Sequence, residues 1–296
     1  MYAPFKSVVT AMVTPFDADG KIAPDLVEGL VKHLLNNGTE AVLVGGTTGE
    51  SPTLTEAELV EMVTHVKKQL PKGIKLIVGT GTNSTEKSVA LSKKISALGV
   101  DGFLVVNPYY NKPTQEGLEA HFSEIARAVK DDILLYNIPG RTGVNCEPET
   151  IARLSEIPNI VAVKEASGNV EQAAMIRAMT DENKFAIYSG DDGLTLPMMS
   201  VGAVGVVSVA SHIAGKKIAG MIKSFFDGDI EKARKIHISL IPLFKALFVR
   251  TNPIPVKYAL NRIGVSVGGH RLPLTPADET CRLKVDAALK ETGFVS

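Results

Sequence analysis

The chain has 296 residues, 45% of them hydrophobic, enough to fill one large core and a smaller appendage. Thirty-two basic residues balance thirty-two acidic ones, so no summed field draws the protein to nucleic acid or an anionic membrane, and a small molecule is the expected partner. Two cysteines, Cys146 and Cys281, lie far apart without metal-ligand spacing, which excludes a secreted disulfide framework and fits a reducing cytoplasm.

The first apolar run follows a single basic residue, Lys6, and is interrupted at Thr10, Thr14 and Pro15, the pattern of a strand and not of a signal peptide. Further β-branched runs follow, and residues 8–13, 41–44, 75–78, 103–106, 133–136, 160–164, 185–188 and 204–209 predict eight strands. Most are continuously apolar, as in strands buried on both faces of a parallel sheet. Helical patterns separate them, with stripes at Leu26, Leu30 and Leu34 and at Leu91, Ile95 and Leu98. Pro24 suits a first helical position, and Thr55 with Glu58 reads as a capping box. Asn37-Gly38, Leu98-Gly99 and Val201-Gly202 each stop a helix shortly before a strand.

Residues 193–215 carry no charge and are long enough to cross a bilayer, but Pro197, Gly202, Gly205 and three serines break them into shorter pieces, so no membrane span is expected. Eight strand–helix units in roughly 225 residues predict an α/β fold, a closed (β/α)₈ TIM barrel, whose usual size is about 250 residues. A doubly wound open sheet fits less well, because the turn Gly79-Thr80-Gly81-Thr82-Asn83-Ser84 lacks the third glycine and follows the third strand. The strand signal stops after Asp227. The expected domains are therefore a catalytic barrel, 1–227, and a C-terminal helical domain, 228–296, with Thr275-Pro276-Ala277-Asp278 as one helix start.

In such a barrel the chemistry gathers where the strands end. Lys164 closes the run Ile160-Val161-Ala162-Val163, so its amine is held near an apolar interior that disfavours the charged form. A neutral amine attacks a ketone, and the imine that results acidifies the neighbouring carbon. Position alone equally allows a lysine that reaches the barrel rim and pairs with Glu165. The other strand ends favour chemistry. Thr47 and Thr48 sit among glycines that can form an anion nest, Tyr110 and Tyr136 can relay protons, and Arg141 can clamp a second carboxylate in bidentate fashion. Asp191 and Asp192 lack an acidic partner for glycoside hydrolysis and are expected to cap their loop. The six histidines show no metal-binding spacing, and neither a metal nor a cofactor is expected.

These residues stand in motifs that resemble the dihydrodipicolinate synthase and N-acetylneuraminate lyase superfamily, and within it the synthase branch. The motifs are Gly46-Thr47-Thr48-Gly49-Glu50-Ser51, Gly79-Thr80-Gly81, Pro108-Tyr109-Tyr110-Asn111-Lys112-Pro113, Tyr136-Asn137-Ile138-Pro139-Gly140-Arg141-Thr142, Val163-Lys164-Glu165-Ala166, Ser189-Gly190-Asp191-Asp192 and Asn252-Pro253-Ile254-Pro255-Val256-Lys257. The resemblance implies that Lys164 forms a Schiff base with pyruvate, whose enamine adds to aspartate 4-semialdehyde to give 4-hydroxy-tetrahydrodipicolinate for lysine and diaminopimelate synthesis. It further implies a proton relay through Tyr136, Thr47 and Tyr110, the last reaching into a neighbouring subunit of a homotetramer built as a dimer of dimers. Thr48 would hold the pyruvate carboxylate, Gly190 and Val207 would line the pocket, and Arg141 would hold the carboxylate of the aldehyde.

Two alternatives have their own signatures. A pyruvate aldolase acting on a sugar acid would share the lysine and tyrosine, but such siblings typically lack an arginine in this loop. A non-catalytic effector-binding barrel would have lost Lys164 or Tyr136, and both are present. One departure concerns regulation. Members inhibited by lysine carry two histidines and an acidic residue where this chain has Glu56, Leu59 and Lys87, although Ser51, Asn83 and Tyr109 match, so weak or absent lysine feedback is expected.

Overall fold

Short β-branched runs whose side chains are buried on both faces leave their backbone groups no partner except a neighbouring strand. In the computed structural model, which describes residues 2–296, eight of them form parallel strands. They are β1 (Val8–Ala11), β2 (Ala41–Val44), β3 (Lys75–Gly79), β4 (Gly102–Val106), β5 (Asp132–Asn137), β6 (Ile160–Glu165), β7 (Ala186–Ser189) and β8 (Gly205–Ser208). Their order is sequential and closes into the expected barrel. Each lies within two residues of the run that predicts it, the largest trim being the C-terminal end of β1.

The helices are α1 (Pro24–Asn36), α2 (Glu56–Gln69), α3 (Thr85–Ser96), α4 (Gln115–Ala128), α5 (Pro139–Thr142), α6 (Pro148–Ser155), α7 (Val170–Met179), α8 (Thr195–Met199), α9 (Ser211–Phe226), α10 (Ile230–Ala246), α11 (Ile254–Arg262) and α12 (Glu279–Glu291). Among the described residues no helix is long and apolar enough to cross a membrane.

The chain divides into two compact units. One comprises Lys75–Val207 with the residues up to Ser7 and contains β3 to β7 and α3 to α8. Its ladder pairs Val106 with Tyr136 and, beyond a register shift between Ile133 and Leu134 on β5, Tyr136 with Lys164 and Asn137 with Glu165. The buried face of α3 is Ser88, Ser92 and Ile95, not a leucine stripe. Small hydroxyls fit there because they are satisfied, Ser92 donating to Thr80 at 2.8 Å and Ser88 accepting from the Thr82 amide at 2.8 Å.

The other unit, Val8–Ile74 with Ser208–Ser296, holds β1, β2, α1, α2 and α9 to α12. Here α1 starts at Pro24 and buries Val27, Leu30, Val31 and Leu34. The Thr55–Glu58 capping box closes the start of α2, satisfying two orphan amides and stabilising the helix by about 1 kcal/mol. Gly215 is required for close packing, since a Cβ on it would stand 2.2 Å from the Asn37 carbonyl oxygen. The last helix corrects an expectation. It starts at Glu279, not at Pro276, because Asp278 and not Thr275 is the cap, its Oδ1 accepting from the Cys281 amide at 2.7 Å.

Candidate active site

Successive residues on a strand face opposite sides, and the end of β6 shows what that separates. Glu165 accepts from Gln172 of α7, so it faces the helices, and Lys164 faces the barrel interior. Lys164 is buried, with 5% of its surface exposed, and its Nζ lies 4.1 Å from the ring centroid of Tyr136, its ladder partner on β5. Among the described residues no carboxylate lies within ion-pair distance of it. The alternative pairing with Glu165 is excluded by that carboxylate's own bonds: Oε1 accepts from the Ser167 amide at 2.6 Å, and Oε2 from Asn137 and Gln172 at 3.0 Å each.

Arg141 lies not in an open loop but on α5, a single turn with Pro139 at its start and Gly143 at φ +75° at its end. Its side chain is exposed. Tyr110 is held at φ +76°, its amide donating to the Thr142 carbonyl at 3.4 Å, and its side chain is 88% exposed. Gly190 donates its amide to the Glu165 carbonyl at 2.7 Å, and a Cβ there would stand 2.5 Å from the Ala166 Cβ, so only glycine fits. Val207 is buried on β8. Asp191 caps its loop as expected, its Oδ1 accepting from the Gly193 amide at 2.8 Å.

In the second unit the Gly46–Ser51 turn is closed by three backbone bonds, Gly49 to Gly46, Glu50 to Thr47 and Ser51 to Gly46. Thr47 is half-buried and Thr48 buried. Asn252 Nδ2 donates to Thr48 Oγ1 at 2.8 Å, which fills an acceptor site on the hydroxyl and leaves its proton free for an anion. Glu50, at φ +55°, forms a fully buried ion pair with Lys257 at 2.6 Å. Burial pulls the Lys257 ammonium below its ordinary pKa, against the opposing charge of Glu50. Lys257 also donates to the Gly269 carbonyl at 2.6 Å, and the Arg271 amide donates to Glu50 Oε2 at 3.1 Å. The Arg271 guanidinium grips Glu58 with two nitrogens and holds that carboxyl down to about 2. The segment from Asn252 to Lys257 thus braces the threonine turn at two points.

Asn252, Glu50 and Lys257 stand in motifs quoted from the sequence, yet nothing in the sequence paired them. Asn137 and Glu165 were legible as outward-facing from the two-residue period, given that Tyr136 and Lys164 face inward. Asn145 and Gln172 carried no sequence signal.

The model of the dihydrodipicolinate synthetase family matches residues 4–292. The chain belongs to the dihydrodipicolinate synthetase family. A 4-hydroxy-tetrahydrodipicolinate synthase of Thermosynechococcus vestitus is 53% identical over 292 residues, covering 98% of each chain. Among solved structures of the family, the enzyme of Cyanidioschyzon merolae with lysine bound superposes with a TM-score of 0.97 at 48% identity, covering 99% of this chain and 100% of that one. The chloride-inhibited synthase of Acinetobacter baumannii, complexed with pyruvate, gives 0.94 at 40% identity over 98% and 100%.

Proposed function

We propose that Lys164 condenses with the ketone of pyruvate and that the enamine so formed adds to aspartate 4-semialdehyde, giving 4-hydroxy-tetrahydrodipicolinate for lysine and diaminopimelate synthesis. The observation that carries this reading is the buried Lys164 amine, without a carboxylate partner among the described residues, against the ring of Tyr136. An amine so placed can reach a bound ketone, because no ion pair holds it elsewhere. Membership of the family supports the reaction, and the pyruvate complex of the Acinetobacter relative supports the first substrate.

The chemistry assigns the roles. The Lys164 amine attacks the carbonyl carbon, the carbinolamine loses water, and the protonated imine withdraws electrons from the adjacent methyl group, whose proton passes to the relay as the enamine forms. Tyr136, with Thr47 and Tyr110, relays those protons, since a phenol both donates and accepts. Thr48 holds the pyruvate carboxylate through the hydroxyl proton that Asn252 leaves free. Gly190 and Val207 line the pocket, and Arg141 takes the carboxylate of the semialdehyde. Tyr110, with its exposed ring, acts in a neighbouring subunit's site, and the working form is a homotetramer, a dimer of dimers in the cytoplasm.

Pyruvate with borohydride should fix a reduced adduct on Lys164, located by peptide mass spectrometry. Lys164 left unmodified would overturn the reading. Arg141→Ala should raise the semialdehyde KM while leaving the adduct intact, and equal loss of both would remove the role given to Arg141.

A further inference from the structure

Behind the Lys164–Tyr136 pair, on the helix-facing side of the strands, a second polar cluster joins three strand ends. Asn107 follows β4, Asn137 ends β5 and Glu165 ends β6, and all are buried. Asn107 Nδ2 donates to Asn137 Oδ1 at 2.8 Å, and the Cys146 amide donates to the same oxygen at 3.0 Å. Asn137 Nδ2 donates to Glu165 Oε2 and, at 2.8 Å, to Asn145 Oδ1. Asn145 Nδ2 donates to Gln172 Oε1 at 2.9 Å, and Gln172 Nε2 returns to Glu165. No lysine or arginine among the described residues lies within ion-pair distance of Glu165, whose charge is held by neutral donors alone.

A carboxylate only accepts, so Glu165 dictates which way each amide turns. Asn137 and Gln172 must present their NH₂ groups to it. Asn137 Oδ1 must then face Asn107 and Cys146, and Gln172 Oε1 must face Asn145. Cys146 and Asn145 lie just beyond α5, the turn that carries Arg141, and Asn107 Nδ2 also reaches the Val144 carbonyl at 3.4 Å. One anion therefore ties the strand of Lys164 to the strand of Tyr136 and to the segment that follows Arg141.

We infer that Glu165 is a positioning residue, which through Asn137, Gln172 and Asn145 fixes both the Lys164–Tyr136 pair and the seat of Arg141, coupling imine formation to recognition of the aldehyde's carboxylate. The inference rests on the imine reading proposed above. A displacement of about 1 Å at reacting groups costs on the order of 100-fold in rate, so losing the network's polarity should be visible in the chemistry.

Glu165→Gln keeps the shape of the side chain but places a donor where only acceptors fit. Among chains that remain folded by circular dichroism, it should slow formation of the pyruvate adduct by roughly tenfold or more and raise the semialdehyde KM as well. Asn145→Ala removes the link from Asn137 and Gln172 to the segment beyond Arg141 but leaves both of their bonds to Glu165, and should raise that KM while adduct formation stays near wild type. Gln172→Met, which removes a donor to Glu165 and the partner of Asn145 but no charge, should weaken both steps to a lesser degree and covers the case in which Glu165→Gln does not fold. Wild-type adduct rates and KM in Glu165→Gln or in Gln172→Met, or a loss confined to thermal stability, would overturn the inference. A wild-type chain that forms no adduct on Lys164 would overturn the imine reading and this inference with it.

Discussion

Lys164 and Tyr136 face each other across the β5–β6 ladder, the lysine nitrogen 4.1 Å from the centroid of the tyrosine ring. The ring packs against the amine and the phenol can move protons, two contributions that Tyr136→Phe separates. It keeps the ring and removes the hydroxyl, so formation of the pyruvate adduct should slow by about 100-fold to 10,000-fold, the usual range for one acid–base group, while the thermal midpoint changes little. Stopped-flow or quenched borohydride trapping checks this. An adduct rate within a few-fold of wild type would take Tyr136 out of the relay.

The fold was legible because each strand is a continuous apolar run and each helix is bounded by a local signal such as Thr55 with Glu58 or Gly99 after Leu98. Those signals are short-range, and the bonds that satisfy them lie within the same few residues. The α12 start was misread for a related reason. Thr275-Pro276 carries the same composition as a cap, and only the bond from Cys281 to Asp278 shows which residue does the work. Lys164, Tyr136, Thr48 and Arg141 were visible as polar residues closing apolar runs. Their supports were not, because Asn252 meets Thr48 across 204 positions and Asn145 meets Gln172 across 27, and no periodicity in a single sequence records such pairs.

Lysine should inhibit weakly or not at all. Lys87 is exposed in the first turn of α3, where the Ser84 hydroxyl accepts from its amide. By the resemblance, an acidic residue in its place would pair with the effector's ammonium group, whereas the cation repels it. The Cyanidioschyzon relative was crystallised with lysine, so the contrast can be measured directly. Steady-state assays with added lysine should show no sub-millimolar inhibition, and Lys87→Glu should shift inhibition to lower concentration. Potent inhibition of the unaltered chain would refute the role given to Lys87.

The Glu50–Lys257 pair should matter more to stability when broken than when replaced. Lys257→Met leaves a buried carboxylate without its cation, a change that typically costs about 3–5 kcal/mol. Adding Glu50→Gln removes the stranded charge and should restore a good part of that loss. Urea unfolding of the single and double variants tests it. A double variant no more stable than Lys257→Met would mean that the charge is not what the site is built around.

Acid should destabilise the fold through His212 before it reaches the carboxylates. The ring is fully enclosed, with Nδ1 donating to the Val209 carbonyl at 2.8 Å and Nε2 accepting from the Val13 amide at 3.2 Å, which fixes the neutral tautomer. Burial lowers its pKa from 6.5 to about 4, with the nearby His33 adding to the effect. Above pH 6.5 the ring is neutral in both folded and unfolded chains and contributes no slope. As pH falls from there toward about 4, only the unfolded chain takes up the proton, so stability declines by up to about 3 kcal/mol and then levels off. Glu58, held at about 2 by Arg271, loses its contribution only at lower pH, below the 4.5 of an ordinary carboxyl. His212→Gln keeps an acceptor for Val13 without a titrating ring, and should flatten the slope between neutrality and pH 4 in denaturant titrations. Part of the slope should survive, because burial lowers His121 to about 4 in the same way. An unchanged slope in His212→Gln would mean that the acid sensitivity lies elsewhere.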